Sequence, residues 1–128
     1  MSELACLELS VLWWIVHVLA QVGASQIELP LPYLLSSRDR PMEPKGVMAG
    51  RANRALGNYV QNFTAFAALD LAFIALHQSG GVWPTVWIVA RIVYLPLYLF
   101  DVVYARTIVW GVSFAAIIAM LARLAFGS

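Results

Sequence analysis

Four long apolar stretches run along the chain, at roughly residues 4–27, 52–76, 82–102 and 104–126. Each has the length that a helix needs to cross a bilayer. The second carries a pattern of its own. Arg51, Arg54, Asn58 and Gln61 are spaced 3, 4 and 3 residues apart, and the same face continues as Ala65, Ala68, Ala72 and Ala75. That spacing puts all eight on one side of a helix, polar in its first half and small and apolar in its second. A seam of this kind faces protein rather than lipid, because arginine and amide groups are costly in hydrocarbon and alanine favours close helix approach.

The other stretches are less regular. The first is interrupted by Glu8, His17 and Gln21, and Pro30 and Pro32 stop it. His17 and Gln21, one turn apart, read as a hydrogen bond between helices, and Trp13 and Trp14 read as packing. In the second stretch Asp70 follows Gln61 by nine residues, two and a half turns, so it falls on the face opposite the seam. A carboxylate there calls for pairing, with His17, Arg91 or Arg123 as partners. The third stretch starts with Pro84 in its first turn and repeats the 3, 4, 3 spacing with Arg91, Tyr94, Tyr98 and Asp101. Pro96 predicts a kink between the tyrosines. The fourth opens with Tyr104 and Arg106, and Gly111, Ala115 and Ala119 give it a small-residue packing face.

Composition sets the class. Of 128 residues, 62% are hydrophobic and 12% charged, and the mean hydropathy is +0.78. A soluble domain is about half apolar and a quarter charged, so the chain reads as an all-α integral membrane protein, a single four-helix domain over residues 1–128. A net charge of +1 makes no electrostatic case for nucleic acid. No metal is expected, and Cys6, the single cysteine, excludes an intrachain disulfide. Glu3 and Glu8 replace the basic start of a secretory signal, so the first stretch reads as a retained span. The loop at 36–50, with Arg51 and Arg54, holds five of the eight basic residues, and the turn at 77–81 holds none. The bias puts the loop in the cytoplasm, and the Gly80-Gly81 turn and both termini outside.

The two polar stripes fall at one depth. Gln61 lies ten residues from Arg51, and Arg91 ten from Asp101, or ~15 Å in each case at the helical rise. The expected feature is a polar cleft, open to the cytoplasm and walled by the second and third spans, with Arg51, Arg54, Tyr98 and Arg106 at its rim. It suits a ligand with carboxylates, which arginine binds through two parallel hydrogen bonds. The competing reading makes the arginines interfacial anchors and the tyrosines an aromatic belt. Arg91, in mid-span, does not fit it.

The chain resembles the MAPEG family, membrane-associated proteins in eicosanoid and glutathione metabolism. The resemblance rests on Arg51-x-x-Arg54-Ala55-x-x-Asn58-x-x-Gln61-Asn62-Phe63, on Arg91-x-x-Tyr94-x-x-x-Tyr98, and on Tyr104-x-Arg106-Thr107-x-x-Trp110. It covers nearly the whole chain, and the small bacterial members are nearest in pattern. It implies four-helix protomers assembled as homotrimers, set among membrane lipids in a bacterial inner membrane. Glutathione would be the co-substrate, bound by Arg51, Arg54, Asn58, Gln61, Arg91, Tyr94 and Tyr98. Arg106 would be the catalytic group beside the thiol, with a lipophilic electrophile or hydroperoxide as second substrate. The family pattern has glutamate where this chain has Gln61, which removes an acid expected to balance Arg91 and to receive an ammonium group. That departure keeps an alternative open: a non-catalytic relative that binds another anionic or lipid ligand, or a subunit of a membrane complex.

Overall fold

The computed structural model describes residues 2–26 and 47–127. Among these residues it is all-α, with four helices: α1 Glu3–Gln26, α2 Val47–Ala75, α3 Trp83–Leu99 and α4 Val103–Phe126. The boundaries fall close to the expected ones, with one difference. Residues 47–50, expected in the loop, form the first turn of α2. They are Val-Met-Ala-Gly, with no proline to prevent helix. The rest of the 36–50 loop and the prolines after α1 lie outside the described residues.

α1 packs against α2, and α3 against α4, while α2 also touches both α3 and α4, and α1 touches α3. The helices alternate in direction. The Glu3 carboxylate accepts the Gly80 N–H (2.9 Å) and the Ser79 hydroxyl (3.2 Å), and Arg123 donates to the Ser79 carbonyl (3.1 Å). The start of α1, the α2–α3 turn and the end of α4 therefore share one end of the bundle. Gly80 lets this corner close: a Cβ there would stand 2.7 Å from Pro84 Cγ, inside van der Waals contact. Arg51, Asp101 and Arg106 gather at the opposite end.

The core stripe of α2 is Ala49, Ala52, Ala55, Tyr59, Asn62, Phe66, Asp70 and Phe73. Most of it follows the polar seam by one residue, about 100° round the helix, and Asp70 follows Ala68 by two, which puts it opposite the seam. Tyr59, Phe66 and Phe73 pack with Trp87 and Ile88 of α3 and Met120 of α4, and Phe66 lies flat on Trp87 with centroids 4.0 Å apart. The seam itself stays on the outside of the protomer: Ala65, Ala68 and Ala75 are exposed and Ala72 is half-buried. On α4 the interior face is Ser113, Ala116 and Met120 rather than Gly111, Ala115 and Ala119.

The outer surface is apolar. Leu12, Ile15 and Leu19 of α1, and Ile108, Ile118 and Leu121 of α4, are exposed. So is Trp14, whereas Trp13 is packed and donates its indole N–H to the Arg91 carbonyl at 3.2 Å. α1, within Glu3–Ala24, and α4, within Val103–Phe126, reach mean hydropathies of 1.7 and 2.0 over 18 residues and are long and apolar enough to cross a membrane. α3 is shorter and apolar, and α2 is diluted by its polar half.

Candidate functional site: a cleft at the rim of the bundle

The polar positions of α2 meet those of α3 as rungs. At the rim, Arg51 Nη1 donates to the Leu99 carbonyl at 3.0 Å, and Arg51 Nη2 lies 3.4 Å from Asp101 Oδ2. One turn deeper, Arg54 Nε donates to the Tyr98 hydroxyl at 3.2 Å. Deeper again, Asn58 and Tyr94 line one cavity of about 260 Å3 with Arg106, Thr107 and Trp110. These three levels agree with the depth argument made from spacing.

The fourth level does not form. Arg91 is fully buried, while Gln61 is exposed on the other side of α2. The expected contact between them is absent among the described residues. The reason is rotational: the stripe of α3 turns inward as it descends, so Arg91 enters the core beside Tyr59 instead of the cleft. Its guanidinium lies 4.3 Å from the Tyr94 centroid and 5.5 Å from that of Tyr59, and none of its side-chain nitrogens has a hydrogen-bond partner among the described residues. A desolvated cation over an aromatic face gains about 2 kcal/mol, which offsets part of the cost of burying it.

The cleft has a third wall, on α4, of which only Arg106 was expected from the sequence. Arg106, Thr107 and Trp110 come from α4, at the 3.6-residue period that follows the turn through Asp101. Asp101 adopts a left-handed backbone (φ 57°) just past α3. Its carboxylate reaches Arg51 on one side and Arg106, at 3.2 Å, on the other. The Arg106 guanidinium also lies 4.7 Å from the Tyr98 centroid, and Tyr98 packs on Tyr94 at 5.6 Å. Arg91, Tyr94, Tyr98 and Arg106 thus form one continuous stack from the core to the rim, two rings between two cations. Asp101 stood in the 3, 4, 3 stripe of the third stretch. Thr107 and Trp110 stood in the resemblance motif with no role attached.

Chemically the cleft offers cationic and hydroxyl donors on its walls and one open acceptor. The Asn58 Oδ1 atom is buried with no hydrogen-bond partner among the described residues, and an orphaned acceptor of this kind is costly unless a ligand N–H meets it. A peptide-like molecule with carboxylates for the arginines and an amide or ammonium for Asn58 fits these groups.

His17 and Asp70 are also buried, outside the cleft. Among the described residues His17 makes no hydrogen bond across helices. It stacks on Tyr59 with centroids 4.6 Å apart, and neither ring nitrogen has a partner among the described residues. Asp70 is fully buried on the face opposite the seam, as expected, near Cys6 and Glu3. Both its oxygens lack hydrogen-bond partners among the described residues, so none of the three expected partners reaches it. Arg123 is engaged at the Ser79 carbonyl instead.

Residues 4–126 match the model of the MAPEG family. No match was found among curated proteins or among solved structures.

Proposed function

The chain belongs to the MAPEG family, and from that premise we propose that it is a membrane glutathione transferase or peroxidase, activating the glutathione thiol at the rim cleft against a lipophilic electrophile or hydroperoxide. The observation that carries the reading is the convergence of Asn58, Tyr94 and Arg106 on one cavity. Arg51 and Arg54 would take the ligand carboxylates, and the Asn58 acceptor an N–H of its backbone. Arg106, held over the Tyr98 face, would stand beside the sulfur. A cation there favours the thiolate, the nucleophile in each of these reactions. Arg91, one layer behind Tyr94, would support the cleft from within.

The same reading includes assembly. The outward seam at Ala65, Ala68, Ala72 and Ala75 is free to meet a second copy, and three copies would bring the seams together in a homotrimer. The rim would face the cytoplasm.

A second reading is favoured by Asp101, which already neutralises Arg51 and Arg106. It makes the protein a non-catalytic family member that binds another anionic or lipid ligand, or a subunit of a larger membrane complex. Thermal unfolding with reduced glutathione separates the two. Binding to the folded state alone at a hundredfold excess over Kd stabilises by about 2.7 kcal/mol. A clear upward shift in Tm supports the glutathione reading, and no shift at millimolar glutathione supports the second.

A further inference from the structure

A groove of about 340 Å3 runs between α3 and α4 on the outer surface of the protomer. Val86, Val89, Ala90 and Val93 form one side, and Val109 and Val112 the other. Val89, Val93 and Val112 are exposed, so the groove opens sideways on the apolar surface. Valine keeps essentially one rotamer on a helix, which fixes the shape of the walls. Thr85 stands at the end away from the rim, and its hydroxyl is turned to the Cys6 thiol at 3.6 Å. The lining therefore offers an occupant only hydrocarbon.

Beyond that end stands Arg123. It follows Val109 by fourteen residues and Val112 by eleven, which puts it within about 40° of both round α4 and ~16 Å from Val112 along it. Its guanidinium is held in place. Nε donates to the Ser79 carbonyl at 3.1 Å, and Cζ lies so close to Gly81 that a Cβ there would stand 3.2 Å away. Gly81 has a left-handed backbone (φ 68°), so glycine both makes the turn and leaves room for the arginine. With Gln78, Ser79 and Gly127, Arg123 lines a hollow of about 160 Å3. It makes no ion pair among the described residues. No other described lysine or arginine lies at this end, since Arg51, Arg54 and Arg106 stand at the rim and Arg91 in the core. A fixed guanidinium gives two parallel N–H bonds to a phosphate. Half of a bilayer's hydrocarbon is ~15 Å thick, so the distance from Arg123 to Val112 spans one leaflet.

We propose that Arg123 and the α3–α4 groove together bind one anionic phospholipid, such as phosphatidylglycerol, in the leaflet at the end of the bundle away from the rim. The phosphodiester accepts from the terminal amino groups of Arg123, and the headgroup hydroxyls face Gln78. One acyl chain descends past Thr85 between the valines to Val109. A free phosphate would satisfy the guanidinium and leave the groove empty. A zwitterionic lipid would fill the groove and set its ammonium against the arginine. The site shares no residue with the rim cleft and does not depend on what binds there. The lipid joins the α2–α3 turn to the end of α4, so it stabilises the folded protein as any ligand of the native state does.

The test is native mass spectrometry of the full chain in detergent, titrated with long-chain phosphatidylglycerol, with phosphatidylcholine of the same chains, with dihexanoyl phosphatidylglycerol and with inorganic phosphate. The wild type should hold one long-chain phosphatidylglycerol per protomer, several-fold more tightly than the phosphatidylcholine or the short-chain lipid, and inorganic phosphate should not displace it. Arg123→Gln should weaken binding about tenfold, as loss of hydrogen bonds to a charged group implies. Val89→Phe and Val112→Phe fill the groove from exposed positions and should each weaken binding several-fold. Ile118→Phe should leave it unchanged, because Ile118 is exposed nine residues from Val109, on the opposite face of α4. The inference is overturned if phosphatidylcholine or the short-chain lipid binds as tightly, if inorganic phosphate displaces the lipid, or if Arg123→Gln or both phenylalanine variants bind as the wild type does. A change of oligomer on Val89→Phe would put a second copy in the groove and overturns it equally. Should Arg123→Gln fail to fold, the lipid comparison and the groove variants, all with Arg123 in place, decide alone.

Discussion

The Asp101 carboxylate lies 3.2 Å from the Arg106 guanidinium at the mouth of the rim cleft, and its other oxygen lies 3.4 Å from Arg51. One acid thus joins the start of α2 to the start of α4 while competing with any anionic ligand for both cations. Asp101→Asn keeps a residue that tolerates the left-handed backbone and removes the competitor. Half-exposed ion pairs contribute at most about 1 kcal/mol, so the variant should lose little stability. It should bind glutathione several-fold more tightly, measured by titration at low salt, where unscreened arginines act most strongly.

Arg91 is a buried cation with no hydrogen-bond acceptor among the described residues. Its aromatic contacts return about 2 kcal/mol, less than the several kcal/mol that an uncompensated buried charge costs. Arg91→Met, which fills similar space without the charge, should therefore equal or exceed the wild type in thermal stability without ligand. It should also loosen Tyr94, which rests on the guanidinium, and so weaken glutathione binding. Arg91→Ala leaves a cavity as well and should fall in Tm. Thermal melts of the two variants with and without glutathione separate charge from packing.

The helices and three of the four levels of the site were legible in the sequence, because spacing on a helix fixes which residues share a face and how deep they lie. Arg51 with Asp101, Arg54 with Tyr98, and Asn58 with Tyr94 follow from that alone. Gln61 with Arg91 does not, since spacing within each helix leaves the rotation of one against the other undetermined. Here Tyr59, Phe66 and Trp87 set that rotation by packing, and carry Arg91 inward. The α4 wall was hidden for a related reason: Thr107 and Trp110 read as ordinary residues of an apolar helix until α4 lies against α2.

The outward seam of α2 gives a prediction about assembly. Ala68 is exposed in the protomer, so Ala68→Leu has room among the described residues of one chain. In an assembly packed along this face the same change overfills a close contact, at a cost of about 1–3 kcal/mol. The variant should fold and dissociate more readily, read as a smaller fraction of trimer by native mass spectrometry in detergent. A wild-type trimer unaffected by the substitution would place the interface elsewhere.

The central claim is that the rim cleft between α2, α3 and α4 binds glutathione, and calorimetric titration of three proteins tests it most directly. The wild type should bind saturably. Arg106→Gln should weaken binding at least tenfold, as expected for loss of a hydrogen bond to a charged group worth about 1.5–3 kcal/mol. Asp70→Asn should stay within about twofold of wild type, because Asp70 sits beside Cys6 and Glu3 towards the other end of the bundle. No binding by the wild type, or a larger loss from Asp70→Asn than from Arg106→Gln, would contradict the account.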